Sequence, residues 1–131
     1  MCIFCKIVAG ELPAYKVYED DKVLAFLNIK PTSIGHTLVV AKAHYANLEE
    51  ISEADLTALI LATKKVGYLL KNKLGVLGYN MSSNNDPVAG QEIPHIHFHL
   101  IPRHEDDGLT PWPKIECSPG DMEEITKKLT S

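Results

Sequence analysis

Three histidines fall within five residues in the segment Pro94-His95-Ile96-His97-Phe98-His99-Leu100-Ile101, alternating with large apolar side chains. The chain has 6 histidines in all, so half of them lie in this row. In a β-strand successive side chains point to opposite faces. His95, His97 and His99 then share one face, while Ile96, Phe98 and Leu100 share the other and belong in a core. Three uses of such a row compete. A single three-histidine metal site fits poorly: alternate strand residues stand roughly 6.6 Å apart, which separates His95 from His99 by about 13 Å. Zinc accepts nitrogens at only about 2.0–2.1 Å, so one ion cannot serve both ends. A merely polar strand face leaves three imidazoles beside a buried apolar surface in need of partners. Nucleophilic catalysis at phosphorus fits best. An imidazole nitrogen attacks when the other ring nitrogen gives its proton to an acceptor, which fixes the tautomer. His97, in mid-row, has donors on both sides, and the phosphorus–nitrogen intermediate it forms is split by water without a metal.

A second constellation is Cys2-x-x-Cys5, a pair at zinc-ligand spacing. Against it stands plain packing of Cys5 on a short apolar helix. The third cysteine, Cys117, lies far along the chain. An odd cysteine count argues against a disulfide framework and for a reducing cytoplasm.

The elements that must hold these residues can be read from periodicity. The chain has 131 residues, room for one domain and no second core. Hydrophobic residues make up 45% and charged residues 23%, which excludes a disordered chain. A formal net charge of -4 repels polyanions, so neither a nucleic-acid polymer nor an anionic membrane is an expected partner. No apolar run is long enough to span a bilayer, and the first residues do not form a secretory signal. A short helix is expected over Ile3–Ala9, stopped near Gly10. Strands Lys16–Glu19 and Val23–Leu27 flank the Asp20-Asp21 turn as a hairpin. The β-branched stretch 36–41 is a buried strand. A long helix starts at Ser52, which with Asp55 resembles a capping box. Leu56, Leu59, Ile60, Thr63, Val66 and Leu70 form its apolar face, and Gly75 and Gly78 end the region. Further strands are expected over Tyr79–Ser83 and Ile93–Ile101, the latter stopped by Pro102. A last helix is expected from Asp121, as N-cap, to Leu129. Hairpin-linked strands with interspersed helices indicate an α+β domain, with a C-terminal tail from about residue 105.

The row His95-Ile96-His97-Phe98-His99-Leu100-Ile101 resembles the signature of the histidine triad (HIT) superfamily. So do Cys2-Ile3-Phe4-Cys5-Lys6-Ile7, the hairpin Val17-Tyr18-Glu19-Asp20-Asp21, the segment Gly35-His36-Thr37-Leu38-Val39-Val40, and Gly90-Gln91. The nearest branch is that of the Hint-type and bacterial hydrolases of purine nucleoside phosphoramidates and related nucleotides. The resemblance implies a mainly antiparallel sheet with one long helix and shorter ones, in a two-fold homodimer whose sheet continues across subunits.

It also implies roles. His97 is the nucleophile that takes a nucleotidyl group, His99 contacts the phosphate, and His95 with His36 completes the imidazole network. Gln91, after Gly90, donates to a phosphate or leaving-group oxygen. Asn84 meets the ribose-phosphate, and Asn28 stands where relatives carry an aspartate on the ribose hydroxyls. Ile7, Phe26, Leu27 and Ile29 are expected to form the slot for the base. Taken alone, Asn28 and Asn84 read more readily as turn residues, and His36 more readily as a core histidine. By a further likeness, Cys2, Cys5, His44 and His95 make a closed, structural zinc site. Two departures stand out. Glu92 replaces a small hydroxyl residue thought to assist the leaving group, and Pro94 removes a ladder donor, which places that end of the strand at an edge or bulge. Leu61, Tyr68 and Leu69 lie off the helix stripe as possible contacts between copies, and Trp112 sits in the tail segment that reaches the partner's site in relatives. The competing readings are a nucleotide-binding regulatory module with little turnover and a metal-binding protein without nucleotide chemistry.

Overall fold

The computed structural model describes residues 2–131, and alternation along the strands decides how its elements stack. Helix α1 (Ile3–Val8) is followed by β1 (Lys16–Glu19), β2 (Val23–Leu27), β3 (Thr37–Ala41), the long α2 (Glu53–Leu74), β4 (Gly78–Ser82), a single 3-10 turn at Pro87–Ala89, β5 (His97–Arg103) and α3 (Pro119–Thr130). The strands form one five-stranded sheet in the order β1-β2-β3-β5-β4, with every pair antiparallel. The fold is therefore α+β. The hairpin between β1 and β2 is pinned by the Asp20 carboxylate, which accepts from the backbone N–H groups of Lys22 and Val23 at 2.8 Å each.

Each face of the sheet has its own apolar layer. Val23, Ala25, Val39, Phe98 and Leu100 point toward α2 and pack with Leu59, Ala62, Val66 and Leu70. Leu24, Phe26, Leu38 and Val40 point the other way, onto Phe4 and Ile7 of α1. The register pairs Val40 with His97 and Leu38 with His99. Partners in register share a face, so these two histidines lie on the α1 side, as the alternation predicts.

The Ser52 side chain caps α2, accepting from the Asp55 N–H at 3.1 Å. Asp55 turns instead to the Tyr45 hydroxyl, which donates to it at 2.6 Å. The buried stripe of α2 is Leu59, Ala62, Thr63, Val66, Gly67 and Leu70, and Ile60 is 40% exposed. The stripe is rotated from the expected one because small residues decide the approach. Tyr79 of β4 lies against Gly67, where any Cβ would meet its hydroxyl.

Three boundaries differ from the sequence reading by two residues or more. β5 begins at His97, not Ile93. Pro94 has no N–H, the Ile96 N–H donates to the Tyr45 carbonyl at 2.8 Å, and His95 sits in a bend ahead of the ladder. β5 also runs through Pro102 to Arg103. The Pro102 carbonyl accepts from the Ser33 hydroxyl at 2.8 Å, on the side away from β4. The absent N–H faces the same way, beyond the last pair with β3, so no ladder bond is lost. Finally, α3 starts at Pro119 with Ser118, not Asp121, as its cap, the Ser118 hydroxyl accepting from the Asp121 N–H. Proline at a helix start needs no donor, which lets the helix begin earlier. The stretch 104–118 between β5 and α3 has no regular structure. Its first turn is held by Arg103, whose guanidinium donates to Asp107 (2.7 and 3.2 Å), Asn80 (2.8 Å) and the Leu109 carbonyl (3.1 Å). No described helix is long and apolar enough to cross a membrane.

Candidate active site

Hydrogen bonds fix the tautomers of the histidines one after another. His97 Nδ1 lies 2.7 Å from the His95 carbonyl oxygen. A carbonyl only accepts, so Nδ1 carries the proton and Nε2 keeps its lone pair. The Thr32 N–H donates to His36 Nδ1 at 3.0 Å. His36 Nε2 must then carry a proton, and it donates to His99 Nδ1 at 2.9 Å. That leaves His99 Nε2 as an N–H donor. The outcome is one imidazole with a free lone pair beside another with a free N–H. Their ring centroids are 5.0 Å apart.

Burial holds these rings neutral. It lowers the proton affinity of His36 and His97, the bond to the His95 carbonyl partly opposing this at His97. His99 is pushed down to about 4, first by burial and then by the neighbouring His97 and His36. A histidine whose folded pKa is depressed contributes stability that is present above its unfolded value and lost as pH falls toward the folded one. Urea unfolding is therefore expected to give a falling midpoint from about pH 6.5 toward 4, the window between the ordinary imidazole value and that of His99. His99→Gln should flatten that slope.

The two rings line a cavity of about 340 Å³ with Phe4, Asn28, Lys30, Thr32, His36, Leu38, Asn84, Gly90, Glu92 and Ile93. Asn28 and Leu38 also line an adjoining apolar slot of about 220 Å³, whose walls include Ile3, Ile7, Leu12, Phe26, Leu27 and Ile29. His36, His97, His99, Asn28, Asn84 and Gly90 are thus brought to one cavity, and Ile7, Phe26, Leu27 and Ile29 to its neighbour. Asn28 is a turn residue and a lining residue at once: its Oδ1 accepts from the Lys30 N–H at 2.9 Å, leaving its NH2 group uncommitted. The Asn84 amide donates to the Gly90 carbonyl at 3.3 Å, across a turn that Gly90 closes at φ 94°.

Two expected residues are not in the cavity. Gln91 is buried with its carboxamide spent on the loop: it donates to the Ala46 carbonyl at 2.6 Å and accepts from the Asp86 N–H at 2.8 Å. It shapes the 84–92 loop and is not among the residues lining the cavity. His95 is fully buried, and its ring takes no part in the imidazole network; its backbone carbonyl is what orients His97.

The His95 ring belongs to the second constellation. Its Nε2–H donates to the Ala41 carbonyl at 2.6 Å, so the Nδ1 lone pair points at Cys2, Cys5 and His44. The donor atoms stand at nearly equal separations. Cys2 Sγ is 3.1 Å from Cys5 Sγ, 3.6 Å from His44 Nδ1 and 3.3 Å from His95 Nδ1. Cys5 Sγ is 3.3 and 3.5 Å from the same two nitrogens, which are 3.2 Å from each other. A point equidistant from such corners lies about 2 Å from each, the length of a zinc–nitrogen bond and slightly short of zinc–sulfur. These four residues form a group able to hold a metal ion.

Phe4 links the two constellations, and sequence reasoning assigned it no role. It lies between Cys2 and Cys5 in the chain, is buried, and stands edge-on to His97 at 5.0 Å and to His95 at 5.9 Å. The signal was available: Phe4 and Ile7 are three apart on α1 and must share a face.

Fold and site together define a HIT protein, and comparison with known chains agrees. A family profile described as HIT domain matches residues 9–106, and the chain belongs to this family. An adenosine 5'-monophosphoramidase of Schizosaccharomyces pombe is 39% identical over 132 residues, covering 99% of this chain and 96% of its own length. An uncharacterized HIT-like protein of Methanocaldococcus jannaschii is 56% identical over 108 residues, 82% of this chain and 83% of that one. A crystal structure of a HIT family member from Bacillus subtilis superimposes with a TM-score of 0.90 at 38% identity, covering 98% of this chain and 94% of the other.

Proposed function

We propose that the protein is a hydrolase or transferase acting at the α-phosphate of a purine nucleotide, of the nucleoside phosphoramidate or dinucleoside polyphosphate type, through a covalent nucleotidyl-His97 intermediate. The observation that carries this reading is the proton on His97 Nδ1, held by the His95 carbonyl, which leaves the Nε2 lone pair available in a cavity next to an apolar slot. With a phosphoramidate, the Nε2 lone pair forms a bond to phosphorus. The phosphorus–nitrogen bond of the substrate breaks, its electron pair leaves on the amine, and the amine takes a proton from solvent. Water then attacks phosphorus, returns a proton to solvent and frees the nucleoside monophosphate, restoring the lone pair. The His99 Nε2–H donates to a phosphate oxygen, and the Thr32–His36 relay keeps that proton in place. The uncommitted NH2 of Asn28 and the Asn84 side chain meet the ribose and phosphate. The base lies among Ile7, Phe26, Leu27 and Ile29.

Cys2, Cys5, His44 and His95 are read as a structural zinc site. A zinc ion bound there ties α1 and the loop after β3 to the bend ahead of β5; all four positions come from protein, so it supplies no open coordination position. In the same reading two copies pair along β4, one of the two edge strands of the sheet. Adenosine phosphoramidate and a dinucleoside polyphosphate, incubated in parallel, test the covalent step. Acid-sensitive addition of one nucleoside monophosphate mass is expected on the wild type and not on His97→Ala. Tight nucleotide binding with neither adduct nor turnover would favour the regulatory module instead.

A further inference from the structure

We infer that Glu92 sets the charge preference of the leaving group, so that the site favours phosphoramidates whose amine carries a second, positively charged end over substrates with an anionic leaving group. This rests on the proposed reading of the histidine cavity. Besides the histidines, Lys30 and Glu92 are the ionisable side chains that line the cavity. Lys30 follows Asn28 and Ile29, on the segment that also walls the apolar slot, and so stands toward the nucleoside. Glu92 lines the cavity from a separate segment, the loop that brings Asn84 and Gly90, and that loop does not line the apolar slot. With the base in the slot and phosphorus at His97, whatever is attached beyond phosphorus meets that loop wall.

No cation among the described residues is paired with the Glu92 carboxylate, which is exposed. The cleft that adjoins the cavity through Thr32 contains Arg103. The guanidinium of Arg103 is already bound by Asp107, Asn80 and the Leu109 carbonyl, so it presents no open fork to a polyphosphate. An anionic leaving group therefore meets an unpaired carboxylate, and an ammonium finds a counter-charge. At an exposed position the effect is modest and screened by salt.

Three adenosine 5'-phosphoramidates of equal alkyl chain length test this, ending in an ammonium, a methyl or a carboxylate. For the wild type at low salt, kcat/KM should favour the ammonium over the carboxylate compound by about tenfold, attraction in one case adding to repulsion in the other. Glu92→Gln should bring that ratio within about twofold, Glu92→Lys should reverse it, and high salt should compress it in the wild type. A wild-type ratio near one, or one that Glu92→Gln leaves unchanged while all three compounds are still hydrolysed, overturns the inference alone. If the wild type hydrolyses none of the three, the histidine reading fails and the inference falls with it.

Discussion

His97→Ala is expected to lower kcat for an adenosine phosphoramidate by on the order of 10⁴-fold or more, the scale seen when an enzyme loses its nucleophile. No other imidazole in the cavity keeps an uncommitted ring-nitrogen lone pair. His36 Nδ1 is occupied by the Thr32 N–H and His99 Nδ1 by the His36 proton. Alanine at 99 removes a donor and should cost less, roughly 10²–10³-fold, as for one oxyanion donor. Alanine at 36 acts only through His99. The double replacement of His36 and His99 should therefore fall short of the product of the single effects, because both report one chain of hydrogen bonds. Steady-state kinetics on variants matched for folded fraction measures all four. A His97→Ala enzyme within tenfold of the wild type would remove the nucleophile from position 97.

Much of this arrangement is legible in residue order, for reasons that differ from element to element. A period of two put His97 and His99 on one face and Phe98 and Leu100 on the other, because a pleat leaves no alternative. The same period placed His95 with them, and its ring does lie on that α1 side, against Phe4, Cys2 and Cys5; what the period missed is that the ladder does not reach it. Pro94 withholds an N–H and the Tyr45 carbonyl captures Ile96, so the chain bends before the ladder starts and the His95 ring turns to the cysteines. A partner from a distant loop is invisible to local periodicity. The contacts of Gln91 were equally out of reach: its carboxamide closes on Ala46 and Asp86, both distant from any periodic pattern. The α2 stripe shifted because Gly67, a residue with no hydropathic signal, decides how closely Tyr79 approaches. Pro102 reads as a stop only if its missing N–H is assumed to face a neighbour strand. The tail was least legible. α3 buries none of its residues, and Trp112 and Ile115 are exposed, so no packing term selects among the start signals at Ser118, Pro119 and Asp121.

The wild type is expected to bind one zinc ion per chain, and replacing Cys5 by serine to abolish that binding and to lower the thermal midpoint by about 10 °C, corresponding to roughly 3 kcal/mol in a domain of this size. The loss is smaller than for an isolated zinc finger because two apolar layers persist without the ion. It is larger than for a surface change because the four donors are otherwise a crowd of thiols and imidazoles without a cation. Cys117, exposed and far from the cluster, is the control: Cys117→Ser should change neither metal content nor midpoint. An ion held there would bear on chemistry at one remove. It would fix the His95 ring, whose backbone carbonyl orients the His97 proton. It would also hold the N-terminal end of α1, which carries Phe4 against His97. Turnover per folded molecule should fall less in Cys5→Ser than stability does, because that carbonyl and the β5 ladder remain after the metal is lost. Elemental analysis, calorimetry and active-site titration on one preparation separate these quantities. Equal metal content, midpoint and activity in wild type and Cys5→Ser would show that the tetrahedral spacing of these donors reflects packing and not coordination.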